Sequence, residues 1–296
     1  ENDFIGILQI CKGLSLTDCY WVTHPQDTKT FAQVNLFDNR FSQVLSQIAF
    51  TGYGSSPASK FRSSPEFTTN GMLPKAWRRK EGKVFLYKGG TSGFANTGKE
   101  PYSEFYAAQV AAAMKIAHIT YGLAKWKKQL CSTCELFTSK SVSFVPASTL
   151  INNSKITHII EWYDCHGWKD ELANMLVFDA VIRNTDRHLG NFGFLVDNQT
   201  NKLLGPAPIF DNGLSLYCYV MDDDLDNLDE QERNLSPALY EDFDAVARYV
   251  IGTKQREALR HLLTFSFKKH SRYNLQDARL KRLESMIREK AISLLD

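Results

Sequence analysis

Two aspartates and an asparagine, at spacings that suit one chemical task, are the residues of this chain best placed to do chemistry. Asp186 and Asn191 lie five residues apart in the segment RNTDRHLGNFG, and Asp211 follows in the segment IFDNG. In phosphoryl transfer one carboxylate acts on the acceptor hydroxyl, while an asparagine and a second carboxylate hold Mg²⁺ against the nucleotide phosphates. The spacing therefore predicts that Asp186 acts on the acceptor and that Asn191 and Asp211 bind the metal.

The residues directly after Asp186 favour this interpretation over a plain turn. Asn, Asp and Gly are common in turns, so both segments could be loops without a catalytic role. The spacing from Asp186 to Asn191, however, equals that of the protein-kinase catalytic loop H-R-D-x-x-x-x-N, although here the His follows the Asp. We predict Arg187 and His188 as further catalytic residues, with His188 better suited to a structural hydrogen bond than to the role of the base.

A lysine and a glutamate upstream complete the predicted catalytic set. Lys88 ends the apolar run VFLYK and would share one strand face with Val84 and Leu86. Glu104 lies at the start of an Ala-rich helical segment. Kinases use a strand lysine to neutralise the α- and β-phosphates and a helix glutamate to hold that lysine. The alternative is a lysine that reaches solvent and a solvated glutamate in the first turn of a helix.

The segment before the Lys88 strand is predicted to bind the nucleotide phosphates. It contains Thr68, Thr69, Asn70 and Gly71, whose hydroxyl and backbone N–H groups could surround a phosphate. The segment has a single glycine and is not a G-x-G-x-x-G loop, so a surface turn remains the alternative.

The segment IEWYD at 160–164 is predicted to connect the two lobes. Its position in the chain, after the strand-rich part and before the helical part, is the basis for this prediction. The backbone groups of Glu161, Trp162 and Tyr163 would then meet the edge of the adenine.

The elements that must position these residues change character along the chain, from strand patterns to helical ones. Strands are predicted over 84–88, 129–138, 141–145, 157–163, 192–196 and 208–210, with hints of strands at Trp21, Val22, Phe31, Val34 and Leu36. Helices are predicted over 41–48, 101–116 (with Ser103 as N-cap), 172–182, 237–251, 254–267 and 276–295.

The order of these patterns predicts an α/β (α+β) architecture, a two-lobed protein-kinase-like fold with a strand-rich N-lobe and a helical C-lobe. Residues 1–58 would form an N-terminal extension or subdomain. The N-lobe would span 59–165, and the C-lobe, with the catalytic loop, 166–296.

Composition places few limits on partners. The 296 residues include 35 Lys and Arg against 33 Asp and Glu, a net charge of +2, which forces neither nucleic acid nor membrane as a partner. No window of 18 consecutive apolar residues and no signal-peptide pattern is visible. Six cysteines in a chain of this length suit a reducing compartment, so a cytoplasmic location is expected.

At Asn184, Asp186, Arg187, His188, Asn191 and Asp211 the chain resembles the HipA-like serine/threonine kinases of bacterial toxin–antitoxin systems, which carry N-x-D-R-H-x-x-N followed by a metal-binding Asp. The likeness extends to Lys88 and to the segment before it. That segment offers Thr68 and Thr69 where the better-known members place an autophosphorylated Ser.

The resemblance implies ATP and Mg²⁺ as cofactors and a protein hydroxyl as acceptor. Aminoacyl-tRNA synthetases are among the family's substrates, and the usual inhibitor is a small DNA-binding antitoxin. For this chain we expect a protein substrate, an antitoxin partner, no direct nucleic-acid contact and no membrane association.

Two other functions remain open. A kinase fold could act as a regulator or binding module without turnover. Phosphoinositide kinases also place D-R-H-x-x-N before a metal-binding Asp, so a lipid acceptor is a further alternative. The acidic segment 221–232 replaces the basic segment that an anionic headgroup would need, and so favours a protein acceptor.

Overall fold

The computed structural model describes residues 4–53, 63–69, 71, 73–94, 96–233 and 235–296. The strands are β1 Lys75–Lys80, β2 Lys83–Gly89, β3 Tyr121–Trp126, β4 Gln129–Glu135, β5 Val142–Pro146, β6 Gly193–Asp197 and β7 Leu203–Pro206. The helices are α1 Phe4–Cys11, α2 Phe31–Val34, α3 Gln43–Thr51, α4 Glu100–Ala113, α5 Ala147–Leu150, α6 Ile156–Cys165, α7 Lys169–Ile182, α8 Leu228–Glu232, α9 Phe243–Val250, α10 Thr253–Arg260 and α11 Asp277–Leu295, with 3-10 turns at Pro65–Phe67 and Asp222–Asn227.

An antiparallel sheet in the order β1-β2-β4-β3 forms the N-lobe, and α4 packs against it. The β1–β2 hairpin turns through Glu81 and Gly82, both with positive φ (50° and 81°). Such two-residue turns match the twist of the strands and fix their register. As a result Lys75 stands directly opposite Lys88.

The C-lobe is built around α7, whose residues from Leu172 to Ile182 are nearly all buried. Helices α6, α9, α10 and α11 contact it. A second antiparallel sheet, in the order β5-β6-β7, carries the strand that follows the catalytic loop. A helix buried on all sides is the centre of a core rather than a surface element, so the segment that leaves its end at Arg183 starts from a fixed point.

A short parallel β-bridge between His118 and Ile209 joins the two lobes. The N–H of Ile119 donates to the carbonyl of Ile209 at 2.9 Å, and the N–H of Ile209 donates to the carbonyl of Ala117 at 3.0 Å. Asp211 lies two residues beyond this bridge, so its position is tied to both lobes.

The N-terminal part packs on the N-lobe. Helix α3 contacts β1, and Leu14, Leu16 and Leu36 share a buried cluster with Val84 of β2. The strands hinted at between Trp21 and Leu36 are wrong, because residues 31–34 form a short helix and the rest is irregular. Local hydrogen bonds outweigh β-propensity there: the Gln33 side chain accepts from the N–H of Thr30 at 2.9 Å, as in a helix N-terminal cap.

The predicted strand over 157–163 is also wrong, because these residues lie within helix α6. Its buried residues, Ile159 and Tyr163, are four apart and share one helix face. Tertiary packing therefore overrides the β-branched and aromatic composition that suggested a strand. The domain limits at 58 and 165 stay a prediction, although β5 and α6, which lie before residue 166, pack with the C-lobe elements β6 and α7 and are grouped with that lobe.

Several element boundaries differ from the prediction: for example, α9 begins at Phe243 rather than at 237, and α10 ends at Arg260 rather than at 267. Helix α4 begins at Glu100, so Ser103 is not the N-cap of this helix. The buried hydroxyl of Ser103 instead donates to the carbonyl of Ser215 at 2.9 Å. The last strand of the second sheet is Leu203–Pro206 rather than 208–210. The two-lobed α+β architecture itself is confirmed. Among the described residues, no helix is long and apolar enough to cross a membrane.

Candidate active site

A cavity of about 300 Å³ lies between the two lobes. It is lined at one end by charged and polar side chains, Lys75, Lys88, Glu104, Asn191 and Asp211. Another part of its wall is apolar and includes Leu16, Leu136, Phe137 and Phe144. A cleft whose wall has a charged part and an apolar part suits a molecule with a flat apolar portion and an anionic portion.

Lys88 is the centre of the charged end. Its Nζ donates to Glu104 Oε1 at 3.1 Å and also to Asp211 Oδ1. Only 13% of the Lys88 side chain and 1% of the Glu104 side chain are exposed. The other Glu104 oxygen accepts from the backbone N–H of Asn212 at 2.8 Å. Glu104 thus holds both the lysine and the loop that carries Asp211.

The charges of Lys88 and Asp211 sustain each other against the cost of burial, whereas burial raises the pKa of Glu104 above its ordinary value. Burial alone would lower the pKa of Lys88, but the carboxylates of Glu104 and Asp211 outweigh it and raise that pKa above its ordinary value. Burial would raise the pKa of Asp211, but the Lys88 ammonium outweighs burial and keeps that pKa low. Lys88 and Asp211 are therefore charged at neutral pH.

Asp211 is presented to the cleft by an unusual backbone conformation. Its φ is 57°, in the left-handed region that Asp tolerates better than most residues. Its N–H donates to the hydroxyl of Tyr121 at 3.1 Å. The conformation is therefore held from the N-lobe strand β3 as well as from its own loop.

Asp186 and Asn191 lie together in the loop after α7. The side-chain amide of Asn191 donates to the backbone carbonyl of Asp186 at 2.9 Å and approaches its carboxylate Oδ2 at 3.4 Å. The N–H of Asp186 donates to Asn184 Oδ1 at 3.2 Å. The loop therefore holds the backbone of Asp186 on both sides, while its carboxylate has one longer contact and is partly exposed. Asp186 does not itself line the cavity, but its neighbour Asn191 does.

Arg187 is a positioning residue rather than a group that touches the cleft. Its side chain is fully buried. It binds both oxygens of Asp179, at 2.8 and 2.9 Å. It also donates to the carbonyls of Asn191 (2.9 Å) and Phe210 (2.6 Å) and to Asn212 Oδ1 (2.6 Å). One guanidinium thus joins helix α7, the Asp186–Asn191 loop and the Asp211 loop.

His188 is exposed and does not line the cavity. Its Nδ1 accepts the N–H of Gly190 at 3.0 Å, which closes the turn between Asp186 and Asn191. This is the structural hydrogen bond that the sequence favoured for it over the role of the base.

The segment predicted to bind phosphate is only partly at the cleft. Thr68 and Thr69 line the cavity. The hydroxyl of Thr68 donates to the carbonyl of Leu14, and the hydroxyl of Thr69 donates to the carbonyl of Pro65. The Thr69 hydroxyl also accepts from the indole N–H of Trp77 at 2.9 Å. Gly71 has a φ of 106°. Asn70 lies outside the described residues.

Glu161, Trp162 and Tyr163 do not contact the cavity, which corrects their assignment to the adenine edge. They belong to helix α6 in the C-lobe, so their backbone groups lie within a helix. The Trp162 ring packs on Phe194 of β6 with a centroid distance of 4.7 Å. The segment that leaves the N-lobe sheet beside the cavity is 136–138, directly after β4.

Sequence reasoning missed Lys75 and Tyr121. Both line the cavity, and burial, followed by repulsion from Lys88, lowers the pKa of Lys75. The signal for Lys75 was present in the sequence: a two-residue turn at Glu81-Gly82 would have placed it opposite Lys88. No short-range signal marks Tyr121, whose role comes from a contact 90 residues away.

The residues predicted to bind a metal offer suitable donors. Asp211 presents a carboxylate and Asn191 an amide oxygen to the same cavity, and hard oxygen donors suit Mg²⁺. The Asn191 amide nitrogen is directed at Asp186, which leaves its oxygen as the end available to a cation. Carboxylate and amide thus fit a small divalent cation.

The N-lobe sheet with its Lys88–Glu104 pair, the buried α7 and the loops at Asp186 and Asp211 together define a two-lobed kinase-like fold. The proinflammatory kinase CtkA of Helicobacter pylori has a similar structure, with a TM-score of 0.56 at 18% sequence identity over 73% of this chain and 89% of that chain. This likeness confirms, at the level of the fold, what the D-R-H-x-x-N resemblance implied.

A second solved structure shows a weaker likeness. HipA of Shewanella oneidensis MR-1, determined in complex with HipB and operator DNA, has a TM-score of 0.46 at 10% identity, over 76% of this chain and 64% of that chain. No family model matches the chain, and no curated protein matches it.

We expected from the sequence that the protein makes no direct contact with nucleic acid. These comparisons do not bear out that expectation, which stays a prediction.

Proposed function

We propose that this protein is an ATP- and Mg²⁺-dependent kinase that transfers the γ-phosphate to a serine or threonine hydroxyl of a protein. One observation carries the proposal: Lys88 binds Glu104 on one side and Asp211 on the other, with Asp186 and Asn191 in the adjoining loop. These are the charges that a kinase needs to hold phosphates, a metal and an acceptor.

In the proposed reaction the acceptor hydroxyl attacks the γ-phosphorus, and the bond to the β,γ-bridging oxygen breaks to release ADP. Asp186 orients the hydroxyl and takes up its proton. Lys88 stays charged and neutralises the phosphates of the nucleotide. Mg²⁺, when bound, would be held by Asn191 and Asp211 and would supply further positive charge.

The proposal includes a protein as the phosphate acceptor and a second protein as the inhibitor. The acidic turn at Asp222–Asn227 contacts α8 and α11 in the C-lobe. Its charge suits a protein acceptor better than an anionic lipid headgroup. By the resemblance, an aminoacyl-tRNA synthetase is the first protein to test as acceptor, and a small DNA-binding antitoxin is the first to test as inhibitor.

The proposal is tested with radiolabelled ATP and Mg²⁺ on the wild-type protein, with and without added protein acceptors. We expect label in protein, including the hydroxyls of Thr68 or Thr69 if the chain phosphorylates itself. Adding EDTA should remove all transfer. Nucleotide binding without transfer to any protein would instead indicate a regulator, and label confined to phosphoinositide vesicles would indicate a lipid kinase.

Replacing Asp211 by Asn is expected to weaken ATP binding in the presence of Mg²⁺ about tenfold or more, because a neutral amide is a poorer ligand of a hard cation than a carboxylate. Binding without Mg²⁺ should change little or improve, since a negative charge near the phosphates is removed. Calorimetry with and without the cation measures both. The same Mg²⁺ enhancement in variant and wild type would contradict the role of Asp211.

A further inference from the structure

We infer that the N-terminal segment Leu14–Thr17, here called the strap, is part of the nucleotide site and forms its wall at the base end. The inference rests on the proposed function and adds a group of residues that the catalytic motifs do not include. Ser15, Leu16 and Thr17 all line the interlobe cavity, although they precede Lys88 by about seventy residues.

Three carbonyls of the strap are hydrogen-bonded to three different walls of the cleft. The carbonyl of Leu14 accepts from the hydroxyl of Thr68 at 3.2 Å, in the segment before β1. The carbonyl of Leu16 accepts from the hydroxyl of Thr138, after β4. The carbonyl of Thr17 accepts from the N–H of Phe144 at 2.8 Å, in the C-lobe strand β5. The strap therefore crosses the cleft from one lobe to the other.

Hydrogen bonds within the strap and the burial of its leucines give the segment a defined conformation. The hydroxyl of Ser15 accepts from the N–H groups of Thr17 and Asp18, each at 3.1 Å, a local turn that Ser favours. Leu14 and Leu16 are 1% and 3% exposed and belong to the cluster that contains Val84. The segment is thus anchored in the N-lobe core and is not a loose end.

The segment that follows β4 places Leu16 beyond Lys88 in the cleft. Lys88 pairs with Ser132 on β4, whereas Leu16 is bound to Thr138, six residues further along the same chain segment. Because β4 ends at Glu135, that separation is at most about 20 Å, the length of six extended residues. A nucleotide with its phosphates beside Lys88 would therefore place its base towards Leu16 and Thr17, while Leu14 is bound to the segment that contains Thr68.

The chemistry of this end suits a flat aromatic ring. Leu16 faces a cavity wall that also contains Leu136, Phe137 and Phe144. If a purine base lay between such side chains, the edge of the base would contact Leu16, and the phosphates of the nucleotide would not. The size of Leu16 would then set which substituents on the purine rim the site accepts.

The test compares two buried leucines of the same cluster. Leu16 lines the cavity, whereas Leu36, which is equally buried and lies outside the strap, does not. In the Leu16→Ala variant, binding of N6-benzyl-ATP should improve about tenfold or more relative to ATP, because the space left by the side chain admits the added ring. In the Leu36→Ala control this ratio should stay at the wild-type value.

The possible results separate the strap from the proposed function. An unchanged ratio in Leu16→Ala, or an equal gain in both variants, with ATP still bound and transferred, would overturn the role of the strap alone. If the wild-type protein bound neither nucleotide, the proposed function would be overturned together with it.

Hydrogen exchange provides a second measurement that needs no variant. Saturation of the wild-type protein with ATP and Mg²⁺ should slow amide exchange in peptides covering residues 14–18 as well as in those covering β2. Slower exchange around Lys88 with unchanged exchange in the strap would show that the nucleotide does not reach it, and so would overturn the inference.

Discussion

Asp186→Asn is expected to reduce phosphoryl transfer by about 10²- to 10⁴-fold, the range that a positioned acid–base group contributes, while ATP binding and the fold remain intact. Asparagine has the shape of aspartate, so the hydrogen bonds from the loop to the Asp186 backbone are kept. It cannot take up a proton from the acceptor hydroxyl. The effect should therefore appear in kcat and not in nucleotide affinity.

The measurement is the initial rate of label transfer, alongside ATP affinity by calorimetry. Asp164→Asn is the matched control, because Asp164 is an exposed residue of α6 whose ion pair is with Lys169 at the surface, whereas Asp186 contacts Asn191 of the cavity wall. This variant should transfer at the wild-type rate. Transfer by Asp186→Asn within a few-fold of the wild-type rate would exclude Asp186 as the residue that acts on the acceptor.

Arg187→Met is expected to destabilise the protein by about 3–5 kcal/mol, the usual result of removing one partner of a buried ion pair. The Asp179 carboxylate is fully buried and would lose both of its bonds to the guanidinium. The carbonyls of Asn191 and Phe210 would lose their donor as well. Because these bonds hold both catalytic loops, transfer should also fall.

Chemical denaturation measures the change in the free energy of unfolding. The control is Arg248→Met, since Arg248 is exposed and bonded only at the surface to Ser293; its effect should stay within about 0.5 kcal/mol. The double variant Asp179→Leu/Arg187→Met should lose less stability than the sum of the two single variants, because it leaves no unpaired buried charge. Strict additivity would mean that the pair does not act as a unit.

Short-range patterns in the sequence were sufficient for most of the candidate site. The spacing of Asn191 and Asp211, and the lysine at the end of an apolar strand, predicted residues that the structure brings into one cavity, and Asp186 lies beside that cavity in hydrogen-bond contact with Asn191. Helix α7 was equally clear from its period. Such signals are visible because catalytic residues must be held at fixed local distances, which a few residues of chain can encode.

The errors share a different origin. Tyr163 was assigned to the adenine edge from its order in the chain, but the helix to which it belongs is decided by packing on Phe192 and Phe194. The strap and Tyr121 reach the cleft through contacts with residues far away in sequence. Contacts of that kind depend on the register of the whole sheet, and no local pattern in the sequence reports them.

The bridge at Ile209 has a mechanical consequence. Two backbone hydrogen bonds tie the lobes together only two residues before Asp211, and the strap ties them again through Thr17 and Phe144. Points near such ties move least, so Asp211 should keep its distance from Lys88 when the lobes move. A change in the width of the cleft would then occur away from its charged residues.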